Sequence, residues 1–223
     1  MRKDELIVKE VLRYLNVPYL TADQTLKNQI IEAYQDMKSG VTIRKTYQCL
    51  DMSLEGNSIL LKDVCFGLTS RDLAGILKHS SKLYLMAVTL GNEIDKKISA
   101  AQQVDMMKAL IYNGCANVMI EEACDDVESE IMEQLEEGQF LTMRYSPGYG
   151  DVPLKVQKDV LSVLDTVRKV GISATMAGML IPLKSVTAFI GVSNIKEGRH
   201  KSCAHCLMQE RCIYRKRGEQ CGN

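Results

Sequence analysis

Three groups of residues have side chains and spacings suited to chemistry. In the stretch LTMRYSPGYGD, residues 141–151, Arg144 is followed by Ser146, Pro147, Gly148, Tyr149 and Gly150. Proline presets its own φ and glycine accepts positive φ without steric cost, so the composition reads as a tight reversal. The same glycines would let a ligand approach the backbone while Arg144, at a strand end, grips an anionic group. From the residues alone both readings stand. The second group is a helical face on which Gly114, Val118, Glu121 and Asp125 recur at i, i+4, i+7 and i+11. Its acids are either solvated carboxylates or acceptors for a cation. The third group is the thiol set Cys203, Cys206, Cys212 and Cys221, spaced C-x2-C-x5-C-x8-C. Its first pair has metal-ligand spacing, while the later spacings match no common zinc or ferredoxin pattern. Zinc, an iron-sulfur cluster or reduced thiols on a basic end all fit.

Other chemistries are excluded by what the chain lacks. It has no GxxxxGK[ST] phosphate loop, no GxSxG elbow, no HExxH and no strand-linked GxGxxG. Three histidines, His79, His200 and His205, leave few candidates for imidazole acid-base catalysis. The 28 basic residues balance 28 acidic ones, so no global field attracts nucleic acid or an anionic membrane. The charged N-terminus MRKDELIVKEVL has no apolar signal core, and no later run has the length of a membrane span. These features predict a cytoplasmic protein, where thiols stay reduced and clustered cysteines point to metal or redox chemistry.

The elements that must position these residues follow from hydrophobic period and turn chemistry. Residues 4–15 read as a helix with Asp4 available as a cap, and ADQTLKNQIIEAYQDMKSG reads as a second helix stopped by Gly40. TIRKTYQCL and NSILL, separated by LEGNS, predict a hairpin. A capped helix SRDLAGILKHS precedes KLYLMAVTLG, whose continuous apolar run predicts a strand buried on both faces. Residues 92–137 read as two helices broken near Gln102, the second with a core stripe of Ala116, Ile120, Ala123, Val127, Ile131 and Leu135. FLTMR reads as a strand, and Asp151 with Pro153 as the start of a helix carrying Val156, Val160, Leu164 and Val167 to Gly171. A strand pair is expected in ATMAGMLIPLKSVTAFIGVS, bent at Pro182. Helices and strands mix without βαβ alternation, which predicts an α+β fold with a twisted, largely antiparallel sheet. The domain is expected over residues 1–195, with a cysteine-rich tail over 196–223.

MRYSPGYGD resembles the RxxxGY signature of the activation domain of cobalamin-dependent methionine synthase, in a freestanding form. VLRYLNV, LMAVTLGNEID, ANVMIEEACDDVE and MLIPLKSVTAFIG resemble further segments of that family in the same order. The resemblance implies an α+β domain that binds S-adenosylmethionine in an extended groove, with cobalamin carried by a partner. Arg144 would hold the ligand's carboxylate, the backbone around Ser146 and Gly148 would contact its adenine and amino-acid portions, and Tyr149 would line the groove. Glu121 matches the family's ligand-contacting helix acid. The family pattern often continues with Pro-Ala where this chain has Gly150-Asp151. No DxHxxG cobalamin motif is present. The resemblance therefore implies a subunit working in trans on a methionine synthase that lacks its activation domain, or on another corrinoid protein. Two further expectations come from other classes: a non-enzymatic S-adenosylmethionine or corrinoid-protein binding module, and an electron-transfer accessory using metal held by the tail cysteines.

Overall fold

The computed structural model describes residues 3–196. The fold is α+β, with a six-stranded antiparallel sheet in the order β3 (Gly67–Thr69), β2 (Ser58–Leu61), β1 (Arg44–Glu55), β4 (Ser80–Thr89), β8 (Ser185–Ser193), β5 (Phe140–Leu141). Its two long central neighbours are β4 and β8, and β1 lies on the other side of β4. The apolar run of β4 is buried on both faces, as its sequence predicts. Tyr84, Met86 and Val88 enter one core, and Leu83, Leu85 and Ala87 enter the other. Alternate side chains leave opposite faces of a strand, so one continuous apolar run serves two helical layers.

The first layer holds α1 (Lys3–Tyr14), α2 (Gln24–Lys38), α4 (Asn92–Val104) and α5 (Met106–Met132). Asp23 caps α2 by accepting from the Leu26 amide at 2.7 Å. The break between α4 and α5 falls at Asp105, three residues beyond the expected Gln102, because Asp105 is extended and accepts from the Lys108 amide at 3.0 Å. A capping side chain, weakly marked in the sequence, thus decides the boundary. The predicted core stripe of α5 is buried from Ala116 to Ile131, while Leu135 lies past the helix end and is partly buried.

The second layer holds α3 (Arg71–Leu77) and α6 (Gln157–Leu164). The hairpin of β1 with β2 (Ser58–Leu61) forms as expected, and a short strand β3 (Gly67–Thr69) that the sequence does not announce extends it. Of FLTMR only Phe140–Leu141 forms a strand, β5. Beyond it Thr142 and Tyr145 still bond to Gly191 and Phe189 of β8. The expected helix from Asp151 is shorter. It opens with a 3-10 turn at Leu154–Val156, continues as α6, and breaks at Asp165 (φ 50°) before α7 (Thr166–Lys169). Val167 points to solvent instead of the core. The two strands expected around Pro182 do not pair with each other: β7 (Leu180–Ile181) pairs with β6 (Ser173–Ala174), and β8 joins the main sheet.

Candidate functional site

Arg144 follows β5 where the chain runs along the outer edge of β8, and its side chain crosses to α5. Nη2 lies 3.0 Å from Glu121 Oε2, while Nη1 lies 2.7 Å from Asp125 Oδ1 and 2.9 Å from Glu128 Oε1. The three acids sit at i, i+4 and i+7 of α5, so helical geometry stacks them along one face. Glu121 and Asp125, 52% and 72% exposed, form the wet rim, whereas the Arg144 and Glu128 side chains are 15% and 11% exposed. Burial by itself would depress the Arg144 pKa, but Glu128 and the bond to Asp125 outweigh it and hold the pKa above the usual arginine value. One guanidinium facing three carboxylates leaves an excess of two negative charges. That excess favours an approaching cation and opposes a free anion.

After Tyr145 the chain reverses. The Tyr149 amide donates to the Ser146 carbonyl at 3.2 Å, with Pro147 and Gly148 (φ 92°) between them, the residue pattern of a type II turn. The turn reading of this stretch therefore holds, and it leaves Gly148 and Tyr149 exposed. The rings of Tyr145 and Tyr149 meet edge to face with centroids 6.3 Å apart. Gly150 (φ 51°) sits so close to its neighbours that an added Cβ would overlap the Tyr145 hydroxyl and the Asp72 carboxylate.

Asp151 has a different role from the expected one. It does not start the following helix; its carboxylate accepts from Ser70 Oγ, from the Arg71 amide at 2.7 Å and from the Asp72 amide at 3.4 Å. A side chain eighty residues away thus caps α3 and ties the turn to the second layer. The hydrogen bond from Ser70, with the amides, holds the Asp151 pKa below the ordinary carboxylate range. Gly150-Asp151 thereby anchors the turn.

Of the predicted site residues, the structure brings Glu121 and Arg144 into contact and places Ser146, Gly148 and Tyr149 on the adjoining turn. Only its spacing, one more step along the Glu121–Asp125 series, marks Glu128 in the sequence. N-terminal to Phe189, the outer edge of β8 has no strand partner among the described residues. Two concavities of about 370 and 430 Å³ lie elsewhere, between α2 and the start of α5 and between α2 and α4. Neither includes Arg144 or its acids, so the cluster is selected by its charge and turn chemistry, not by its depth. Cys203, Cys206, Cys212 and Cys221 lie outside the described residues, among which no group of three or more His, Cys, Asp or Glu is arranged to hold a metal ion. No described helix is long and apolar enough to cross a membrane.

No family model matches the sequence, and no curated protein matches it. The fold is similar to that in a crystal structure of the MetH reactivation domain bound to AdoHcy. The TM-score is 0.62 at 14% identity, over 96% of this chain and 83% of that one. At that identity the likeness is one of fold.

Proposed function

We propose that the protein binds S-adenosylmethionine beside the Arg144 cluster and presents its methyl group to the cobalamin of a separate methionine synthase or related corrinoid protein, supporting reductive remethylation. The observation carrying this reading is that Arg144 and Glu121, 23 residues apart in the chain, meet next to the Ser146–Tyr149 turn. It is supported by a fold shared over 96% of the chain with a domain whose crystal structure contains AdoHcy. The electrostatics fit the ligand class, because a sulfonium and an ammonium gain from a cluster with two excess negative charges. For the ligand's carboxylate to reach Arg144, it must displace Glu121 or Asp125, the two exposed partners. Glu128 stays as the buried counter-charge.

In this reading the chain supplies position, not proton transfer. The partner's cobalamin, once reduced by a low-potential electron donor, supplies a nucleophilic cobalt that takes the methyl group while the sulfonium keeps the C–S electron pair and becomes a thioether. Glu121 and Asp125 orient the cationic end of the ligand. The Gly148 backbone, bare of a side chain, permits close approach, and Tyr149 offers an exposed ring for stacking. Holding donor and acceptor in line removes the orientational entropy of a bimolecular encounter.

The test has two stages. Calorimetry of the intact protein with S-adenosylmethionine should show saturable binding; none at millimolar ligand removes the proposal. Mixed with a corrinoid partner holding oxidised cobalt, a low-potential reductant and S-adenosylmethionine, the protein should restore the methylated spectrum, and omission of any one component should abolish it. Equal remethylation without the protein would leave a binding module. Activity that survives without S-adenosylmethionine but is lost when the tail cysteines are replaced would leave an electron-transfer accessory.

A further inference from the structure

The short hairpin of β6 and β7 sends side chains outward that neither core takes up. Ala174 and Leu180 fix its strands against the second-layer core. The connecting turn is closed on itself: the Thr175 amide donates to the Met179 carbonyl at 2.8 Å, the Gly178 amide to the Thr175 carbonyl at 3.0 Å, and the Met179 amide to Thr175 Oγ1 at 3.1 Å. What this fixed turn presents to solvent is apolar. Met176 is 95% exposed, and Met179 is exposed beside it. Residues 171–183 contain no Asp, Glu, Lys, Arg or His, although a quarter of the chain is charged, and Ile181 and Leu183 of the same run are exposed as well.

Leu154 joins this turn to the one that follows Arg144. A Cβ on Gly148 would come 3.2 Å from Leu154 Cδ1, and one on Gly178 would come 2.9 Å from Leu154 Cγ, so the leucine is wedged between the two turns. Tyr149 and Leu154, both exposed, thus continue the apolar surface from Met176 and Met179 to the Ser146–Tyr149 turn.

A single exposed leucine such as Leu20, 93% exposed between α1 and α2, is ordinary surface, whereas a contiguous apolar patch marks an interaction surface. Its size and chemistry narrow the occupant. A stable dimer uses roughly 800 Å² and about 20–30 residues on each side, far more than these side chains supply. An anionic membrane would be opposed by the two excess negative charges around Arg144. Methionine side chains are flexible and repack against different shapes, which suits a partner that docks and leaves. The S-adenosylmethionine reading requires such a partner here, because a protein that brings cobalt in line with a methyl group beside the Ser146–Tyr149 turn must also cover what flanks that turn.

We propose that Tyr149, Leu154, Met176 and Met179 form the surface on which the corrinoid partner docks, against an apolar, uncharged area bordering its cobalamin. This rests on the S-adenosylmethionine reading above and adds the face through which the partner approaches. The contact is transient and driven by apolar burial, not by charge.

The experiment measures remethylation at saturating S-adenosylmethionine and reductant while the concentration of the corrinoid partner is varied, beside calorimetry of the intact protein with S-adenosylmethionine alone. Met176→Glu and Met179→Glu should each raise the partner concentration needed for the half-maximal rate roughly tenfold or more, because a carboxylate in an apolar contact loses its water without gaining a counter-charge. Affinity for S-adenosylmethionine should stay within about twofold, and the melting temperature should not fall. Met176→Leu should retain the wild-type dependence on partner, as should Leu20→Glu, a charge placed at an equally exposed position on the first layer. The proposal is overturned if the two glutamate variants at the methionines match Leu20→Glu, or if they weaken S-adenosylmethionine as much as they weaken the dependence on partner, which would make the patch part of the ligand site. It is also overturned if sedimentation shows a wild-type dimer that Met176→Glu dissolves, or if the wild-type protein, but not Met176→Glu, floats with phosphatidylcholine vesicles. A wild-type protein that binds no S-adenosylmethionine or supports no remethylation removes the proposed function itself, and this inference with it.

Discussion

Arg144 and Glu128 are nearly enclosed together, whereas Glu121 and Asp125 reach solvent. This difference in exposure ranks the three contacts. Arg144→Ala removes the guanidinium that the enclosed Glu128 carboxylate contacts at 2.9 Å, and it should destabilise the protein by about 1–3 kcal/mol in urea melts. Asp125→Asn removes a rim contact screened by water and should cost less than about 1 kcal/mol. A rim substitution as costly as the arginine substitution would refute this ranking. Arg144→Ala should also weaken S-adenosylmethionine, because without their central cation the three acids repel one another and no longer hold a fixed arrangement. Arg144 and Glu121 are both singled out by the segments that carry the family resemblance. Their ion pair is not, since 23 residues of chain separate them.

At the scale of elements, the Ser146–Tyr149 turn is held from both sides, by the β8 edge at Tyr145 and by Asp151 on the N-terminus of α3. Gly150 and Gly138 both have positive φ, so alanine meets the same kind of backbone strain at each. Around Gly138 a Cβ finds open space, whereas at Gly150 it meets the Tyr145 hydroxyl and the Asp72 carboxylate. Gly150→Ala should therefore cost about 1–3 kcal/mol more than Gly138→Ala in paired denaturant titrations, the usual scale of overpacking. Similar costs would show that the turn moves freely off α3. The Asp151 anchor also has a pH signature. Its folded pKa is depressed, so its contribution is present above the unfolded value of about 3.9 and is lost as pH falls through the folded pKa. Asp151→Asn should lower the melting temperature at neutral pH and flatten its decline in acid. An unchanged acid profile would remove Asp151 from the account.

Over the described residues as a whole, two helical layers clasp the six-stranded sheet, and the four described cysteines divide by layer and depth. Cys115 and Cys124 are buried in the first layer, and burial pushes both thiols up to about 12. Cys49 and Cys65 are exposed on the hairpin side. A maleimide at neutral pH should modify Cys49 and Cys65 in the native protein and reach Cys115 and Cys124 only after unfolding, as read by peptide mass spectrometry. Early labelling of Cys124 would mean that α5 opens more readily than its packing allows. The balanced total charge gives no long-range steering, so the proposed encounter with a corrinoid partner should slow only modestly as salt rises. A steep salt dependence in the remethylation assay would instead point to local charge patches guiding it.

Periodicity determined the long helices, the central strand and the fold class, because an apolar period is set locally and each element needs only its own residues to declare it. The turn at Pro147-Gly148 was legible for the same reason: its backbone angles belong to those residues. Several other features depend on partners distant in the chain, and local pattern does not encode them. They are the capping of α3 by Asp151, the pairing of β8 with β4 in place of β7, and the gathering of Glu121, Asp125 and Glu128 around Arg144. Each forms only when the sheet brings remote segments within hydrogen-bonding reach, so tertiary structure alone decided how the charges are partnered.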